Sequence, residues 1–471
     1  MLGRKIAYNT IIAAGARVIN LALSLIIIGL ITRYLGQSGF GQYATILAFL
    51  YFFSVLADLG LYSICLREIS RPRADEGEIA SNAFTLRLIA GLFIFALAPL
   101  ISCLFPYPGQ VKLGILIGAV GFWLLSNSQV LMGVFQKHLR MEKVALAEFL
   151  GRLAQLGLVL FFIRQEKSFL FIVGAMVASA LVNFLLVFFF SQKYASISLR
   201  FNFSLWRSLL KESLPLALAI VFTMVYFRID TIMLSLMKGA ADVGIYSLAY
   251  KILESLLFFP VMFIGLVMPL LSKYALTAKE KFSQVSQQAL DILLVFAFPL
   301  IIGTLFLSPR IITLIAGQEF ILSAGVLNIL IFAVGIIFLG VLFSNMIISL
   351  KEQRRLTYIY GLGVIFNLLA NFIFIPKYSY YGAAATTLLT ELTVTLLMVL
   401  VLGRVLKKLP SFGLMIKYAL AGLIMAGSLY LLPAWNLFIL IILASSVYFL
   451  SLYLIGGFSV KRILTLVRKD V

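Results

Sequence analysis

The sequence predicts an all-α integral membrane protein of about fourteen transmembrane helices, grouped as two six-helix lobes and a C-terminal pair. Three observations carry this. Of 471 residues, 62% are hydrophobic and only 12% charged, with a mean hydropathy of +1.09, far from the composition of a soluble domain. Apolar runs of about 20 residues, the length that crosses a bilayer, recur along nearly the whole chain. The basic residues between those runs alternate as the positive-inside rule requires.

The runs lie at about 8–32, 42–66, 82–105, 113–135, 144–163, 168–190, 210–236, 245–271, 289–308, 321–349, 357–376, 381–402, 414–432 and 436–457. The first could pass for a signal peptide behind Arg4 and Lys5. Arg17 and Asn20 interrupt it and no small-residue cleavage site follows, so it reads as an uncleaved span. With the N-terminus and every second loop placed in the cytoplasm, most of the 38 Lys and Arg fall on that side. The outer side receives Arg33, Lys112, Arg164, Lys167, Lys238, Arg310 and Lys377, while Arg17, Arg228 and Lys251 stay inside spans. Arg87 falls with the cytoplasmic set. A missed span would scramble this alternation, so the count places both termini in the cytoplasm; the plasma (inner) membrane is the expected location. The formal charge of +20 is thereby explained without nucleic acid.

Phe40-Gly-Gln-Tyr43 follows the first span and Val243-Gly-Ile-Tyr246 follows the seventh; Gly41 and Gly244 are 203 residues apart. Gly174-Ala-Met-Val-Ala-Ser-Ala180 and Gly382-Ala-Ala-Ala-Thr-Thr-Leu388 repeat with an offset of 208. Two similar offsets make spans 1–6 and 7–12 copies in one orientation, related by an axis along the membrane normal. The expected divisions are an N-lobe at 1–200, a C-lobe at 201–408 and an appendix at 409–471.

Charges inside spans are costly and mark functional candidates. Arg17, Asn20 and Ser24 form one stripe of the first helix. Arg228 and Asp230 lie on span 7, and Lys251 and Glu254 on span 8 at i, i+3 spacing. All four lie roughly 10–15 Å in from the intervening turn, so they can form one network. That network reads either as a closed structural clasp or as the wall of a water-filled cavity. Glu391 sits in a Thr-rich face of span 12 with Thr387, and Asp58 in the inner half of span 2. Asn367 and Asn371 read as helix–helix glue, and Glu148 and Arg152 as a structural i, i+4 pair. Pro215, Pro260, Pro269 and Pro299 can bend their helices.

Catalytic signatures are missing: no phosphate loop, no His-Glu-x-x-His, and only short outer loops. The one histidine, His138, cannot anchor a metal cluster, and Cys65 and Cys103 read as packing residues. The expectation is a transporter, not an enzyme, with no catalytic residues, cofactor or metal.

Thr32-Arg-Tyr-Leu-Gly36, Phe40-Gly-Gln-Tyr43 and Asp58-Leu-Gly60, then Leu214-Pro215, Arg228-Ile-Asp230, Gly244-Ile-Tyr-Ser-Leu-Ala-Tyr250, Ile375-Pro376 and Gly382-Ala-Ala-Ala385, form an ordered set. That set resembles the Wzx-type polysaccharide flippases of the multidrug/oligosaccharidyl-lipid/polysaccharide exporter superfamily, over about residues 5–405. The resemblance implies two lobes around a cavity and alternating access driven by an ion gradient. The implied substrate is a polyprenyl-diphosphate-linked oligosaccharide, turned from the cytoplasmic to the outer leaflet. A diphosphate needs cations in a desolvated cavity, for which Arg17, Arg228 and Lys251, with Asn20, are the candidates. Asp230, Glu254, Glu391 and Asp58 are the candidates for H+ or Na+ coupling. Implied partners are membrane lipids and polysaccharide polymerase or export machinery. The buried cations face at least as many acids, so a drug/cation antiporter and a lipid II flippase of the same superfamily stay open. A membrane glycosyltransferase is disfavoured by the short outer loops.

Overall fold

α1 (Leu2–Asp58) runs for 57 residues. Straight, it would reach about 85 Å, nearly three times the roughly 30 Å hydrocarbon thickness. It breaks at Gly36, whose φ of 65° and ψ of −177° is a combination only glycine adopts at low cost. α1 is thus two spans. The second continues through a left-handed Gly60 into α2 (Leu61–Ile69). α12 (Gln353–Val405) does the same, reversing at Ser379 (φ 50°, ψ −128°). Here Gly382 is required for space, because a Cβ would strike the backbone of Phe374 and Ile375.

The computed structural model describes residues 2–58, 60–275, 277–406, 409–432 and 435–457, with side chains described except over 2–14 and 214–226. The expectations placed on Arg4, Lys5 and Pro215 lie outside those side chains. The remaining helices are α3 (Glu76–Ser102), α4 (Gly109–Lys137), α5 (Met141–Arg164), α6 (Phe169–Ser191), α7 (Phe203–Met237), α8 (Ala240–Leu256), α9 (Phe258–Ala275), α10 (Lys279–Ala316), α11 (Leu322–Ser349), α13 (Met415–Leu431) and α14 (Leu437–Leu454). Among the described residues there is no strand, and 10 helical stretches are long and apolar enough to cross a membrane. Two of those, Gly15–Ile69 and Gln353–Val405, are the broken double spans.

Each predicted apolar run finds a helix, with two further changes of shape. Span 8 is broken between α8 and α9 just ahead of Pro260, which has no N–H to donate to the carbonyl four residues back. Span 9 is the 38-residue α10, which carries Pro299 and Pro309 and extends well past both ends of the apolar run. Polar caps set other starts: Asp75 accepts from the Glu78 N–H (2.9 Å) and Asn202 from the Leu205 N–H (3.1 Å).

The chain divides into two compact units, Met1–Gly244 and Ile245–Val471. In the first, α4 packs on α3 and α6, α5 on α6, and α1 on α4, α5 and α7. Gly114, Gly118 and Gly121 of α4 admit Ile46, Leu50 and Val177, the small-residue packing typical of membrane helices. The repeat glycines meet here. A Cβ on Gly41 would collide with the Ala240 carbonyl, and one on Gly244 with the Gln37 carbonyl. In the second unit α11 packs on α10 and α12, α9 on α10 and α11, and α13 on α14 and α10. Gly174, the counterpart of Gly382, faces open space, so the second motif pair shares sequence without sharing a packing role.

Candidate functional site

The first unit places one polar cluster where α1 crosses α5. Asn20 is 3% exposed and its Nδ2 donates to Glu148 Oε2 at 3.4 Å. Arg17, one turn away, lies 4.0 Å from the same oxygen, yet its side chain is 56% exposed. Ser24 is buried, so the predicted stripe turns two members inward and leaves the guanidinium out. A charge inside a span is costly, which keeps Arg17 a functional candidate. Arg152, one turn along α5, lies within electrostatic reach of Glu148, Arg17 and Tyr43. The sequence reading assigned Glu148 and Arg152 to local structure alone. Their i, i+4 spacing gave no sign of a partner on α1.

Asp58 has a definite partner. Its Oδ1 lies 3.0 Å from Arg87 Nη1, and the Arg87 side chain has 0% exposure. Arg87 also donates to Ser126 Oγ at 2.7 Å and to the Ala57 carbonyl. This corrects the assignment of Arg87 to the cytoplasmic loop residues. α3 begins at Glu76 rather than near 82, so Arg87 sits about 16 Å into it. The available signal was Asp58 itself, an acid deep in a span that needed a cation.

Arg228 stacks over the Tyr51 ring, 4.7 Å from its centroid, and Tyr51 meets Phe122 edge-on. Asp230 is 2% exposed. Further along α7, Ser235 and Tyr107 share a 2.9 Å hydrogen bond. Near its start, Glu212 pairs with Arg67 of α2.

In the second unit Lys251 Nζ donates to Glu254 Oε2 at 3.2 Å, with both side chains part-exposed. Glu391 is 6% exposed and acts electrostatically on the Tyr360 phenol. Its neighbours form a buried band. Tyr246 and Thr387 share a 3.1 Å hydrogen bond, Asn367 donates to Thr390 at 3.3 Å, and Asn371 donates to Asn367 at 2.9 Å. Asn367 thus ties together the two halves of α12, with Asn371 bonded to it from the first half.

Outside the spans, Glu76 at the start of α3 binds Lys137 and His138 at the end of α4, and Lys137 also donates to the Ile69 carbonyl. Burial raises the Glu76 pKa, but bonds and charge from Lys137 and His138 outweigh it and leave the group below the ordinary carboxylate value. Among the described residues no three His, Cys, Asp or Glu side chains come together as a metal site. Cys65 is buried, Cys103 is exposed, and both are free.

Residues 6–275 match the family described as "Polysaccharide biosynthesis protein", and residues 215–373 match the MatE family. A Shigella dysenteriae protein described as "Putative O-antigen transporter" is 26% identical over 80% of this chain and 95% of its own length. A Haloferax volcanii protein described as "Probable low-salt glycan biosynthesis flippase Agl15" is 23% identical over 80% of this chain and 79% of its own. The solved structure of the lipid II flippase MurJ in an inward closed conformation shares the fold, with a TM-score of 0.77 at 16% identity, over 97% of this chain and 100% of that one. More than half of the chain lies inside one family match. This multi-pass membrane protein belongs to the polysaccharide biosynthesis protein family, of Wzx type within the multidrug/oligosaccharidyl-lipid/polysaccharide exporter superfamily.

Proposed function

We propose that this chain is a flippase that turns a polyprenyl-diphosphate-linked oligosaccharide from the cytoplasmic to the outer leaflet for cell-surface polysaccharide synthesis. The observation that carries the reading is Arg17: a guanidinium on an apolar helix, more than half exposed, in a chain of this family. Arg presents a planar fork that matches a phosphate. Asn20 lies beside it, and Arg228 and Lys251 are further cations for the same anionic headgroup. The O-antigen and glycan functions named for the two relatives support the substrate class.

Residues 1–200 and 201–408 act as two lobes exposing the headgroup alternately to each side, with 409–471 as an appendix. Asp230, Glu254 and Glu391 supply carboxylates for an H+ or Na+ gradient; Asp58, the fourth candidate, would have to leave its pair with Arg87 to do so. The protein sits in the plasma (inner) membrane with both termini cytoplasmic, and hands its cargo to a polymerase or export machinery.

The MatE match over residues 215–373 favours a second reading, export of a cationic drug by the same fold. Substrate charge separates the two, because a cation exporter needs its acids and not Arg17. The test is Arg17→Ala and Arg228→Ala made separately in the native host. The expected result is loss of surface glycan with lipid-linked precursor accumulating on the cytoplasmic leaflet. Normal glycan with both variants well expressed would overturn the reading.

A further inference from the structure

We propose that Glu148 is an internal stand-in for the diphosphate of the substrate: it holds Arg17 and Asn20 until the anionic headgroup displaces it, and Arg152 completes the anion site. This rests on the flippase reading above and adds to it an occupant that the substrate must evict.

Four observations carry it. First, Glu148 touches both first-helix members of the cationic site through one oxygen, at 4.0 Å from Arg17 Nη1 and 3.4 Å from Asn20 Nδ2. Both distances are at the long end of their class, which makes the contacts weak. Second, the Arg17 side chain is 56% exposed and that of Glu148 31%. The pair is therefore open to a competing anion and not sealed like Asp58 with Arg87. Third, Asn20 is 3% exposed and its Oδ1 is buried without a hydrogen-bond partner among the described residues. An acceptor left unmet costs free energy, and a ligand bearing hydroxyls beside its phosphates supplies the missing donor. Fourth, Arg152 lies within electrostatic reach of Glu148 and Arg17 together. Two guanidiniums around one carboxylate leave the cluster with one net positive charge, and it becomes a two-cation site once the carboxylate withdraws.

Carboxylate and phosphate oxygens present the same acceptors to an arginine fork. The exchange therefore needs no new geometry, only a stronger anion. After the headgroup has crossed, the carboxylate competes again and assists release. Glu148 thus opposes binding and promotes departure.

The experiment uses the full chain in nanodiscs with farnesyl diphosphate as the probe, farnesol as the uncharged control, and flipping of lipid-linked precursor measured in parallel. Glu148→Gln is expected to tighten farnesyl diphosphate about three- to fivefold, the scale of an exposed ion pair, while slowing turnover. Arg152→Gln is expected to weaken the probe about tenfold, as loss of a charge-assisted contact does. A merely structural Glu148 would give weaker or unchanged binding, and either result overturns the proposal. If Glu148→Gln fails to fold, Glu148→Asp serves instead: the shorter carboxylate holds Arg17 less well and must still tighten the probe. Loss of probe binding in Arg17→Gln with no tightening in Glu148→Gln would sink this proposal and leave the flippase reading intact. Wild type that distinguishes farnesyl diphosphate from farnesol in no way would sink both.

Discussion

The Asp58 carboxylate lies 3.0 Å from the guanidinium of Arg87, a side chain with no exposure. The pair sits where α1 ends, next to the left-handed Gly60 that starts α2. Arg87 also takes the Ala57 carbonyl, one of the orphan acceptors a helix end leaves. It therefore clasps a break in a membrane span. Removing one partner of a buried pair strands the other charge, at a cost of about 3 kcal/mol. Arg87→Ala is expected to lower the thermal unfolding midpoint in detergent sharply. Arg87→Lys should recover only part, because one ammonium replaces a fork that serves Asp58, Ala57 and Ser126. An unchanged midpoint in Arg87→Ala would remove the clasp from the account.

The glycines of the two repeated motif pairs differ in what their surroundings demand. A Cβ on Gly41 meets backbone that has no room to yield, and forced overpacking costs about 1–3 kcal/mol. Gly41→Ala is therefore expected to be destabilising. Gly174→Ala enters open space inside a helix and should be neutral or stabilising by up to about 1 kcal/mol. Unfolding midpoints of the two variants, measured side by side, check this; equal shifts would contradict it.

Glu76 carries a pH dependence of known sign. Its folded pKa is depressed below the ordinary 4.5, with Lys137 and His138 outweighing desolvation. A depressed carboxylate contributes stability that is present above its unfolded pKa. That contribution is lost as pH falls below about 4.5 through the folded value. The difference in unfolding midpoint between wild type and Glu76→Gln should be largest near neutral pH and vanish in acid. A difference that grows on acidification would reverse the assignment.

Glu391, proposed above for coupling, lies in the Thr- and Asn-lined band of the second unit. Glu391→Gln is expected to remove the dependence of flipping on the ion gradient and leave farnesyl diphosphate binding within about twofold, the additivity expected of a residue outside the anion site. Flipping assayed in proteoliposomes with and without an imposed pH or sodium gradient tests it. A variant that keeps full gradient dependence takes Glu391 out of the coupling set.

Much of this was written in one dimension. The bilayer demands about 20 apolar residues per span, so the apolar runs reported the helices directly. Gly36 and Gly60 permit the breaks because a left-handed φ is open to glycine at low cost, but only the structure located the breaks there. Family membership was legible from short ordered motifs such as Arg228-Ile-Asp230. Buried charge could be found but not paired. The sequence marked Arg17 and Asp58 as costly residues that needed partners. Glu148 lies 131 residues from Arg17 and Arg87 lies 29 from Asp58, separations that no helical periodicity relates. Helix packing alone decided that α5 meets α1 at Asn20 and that α3 starts early enough to bury Arg87. The reason is physical: hydropathy is a property of a segment, while an ion pair is a property of two segments brought within 4 Å.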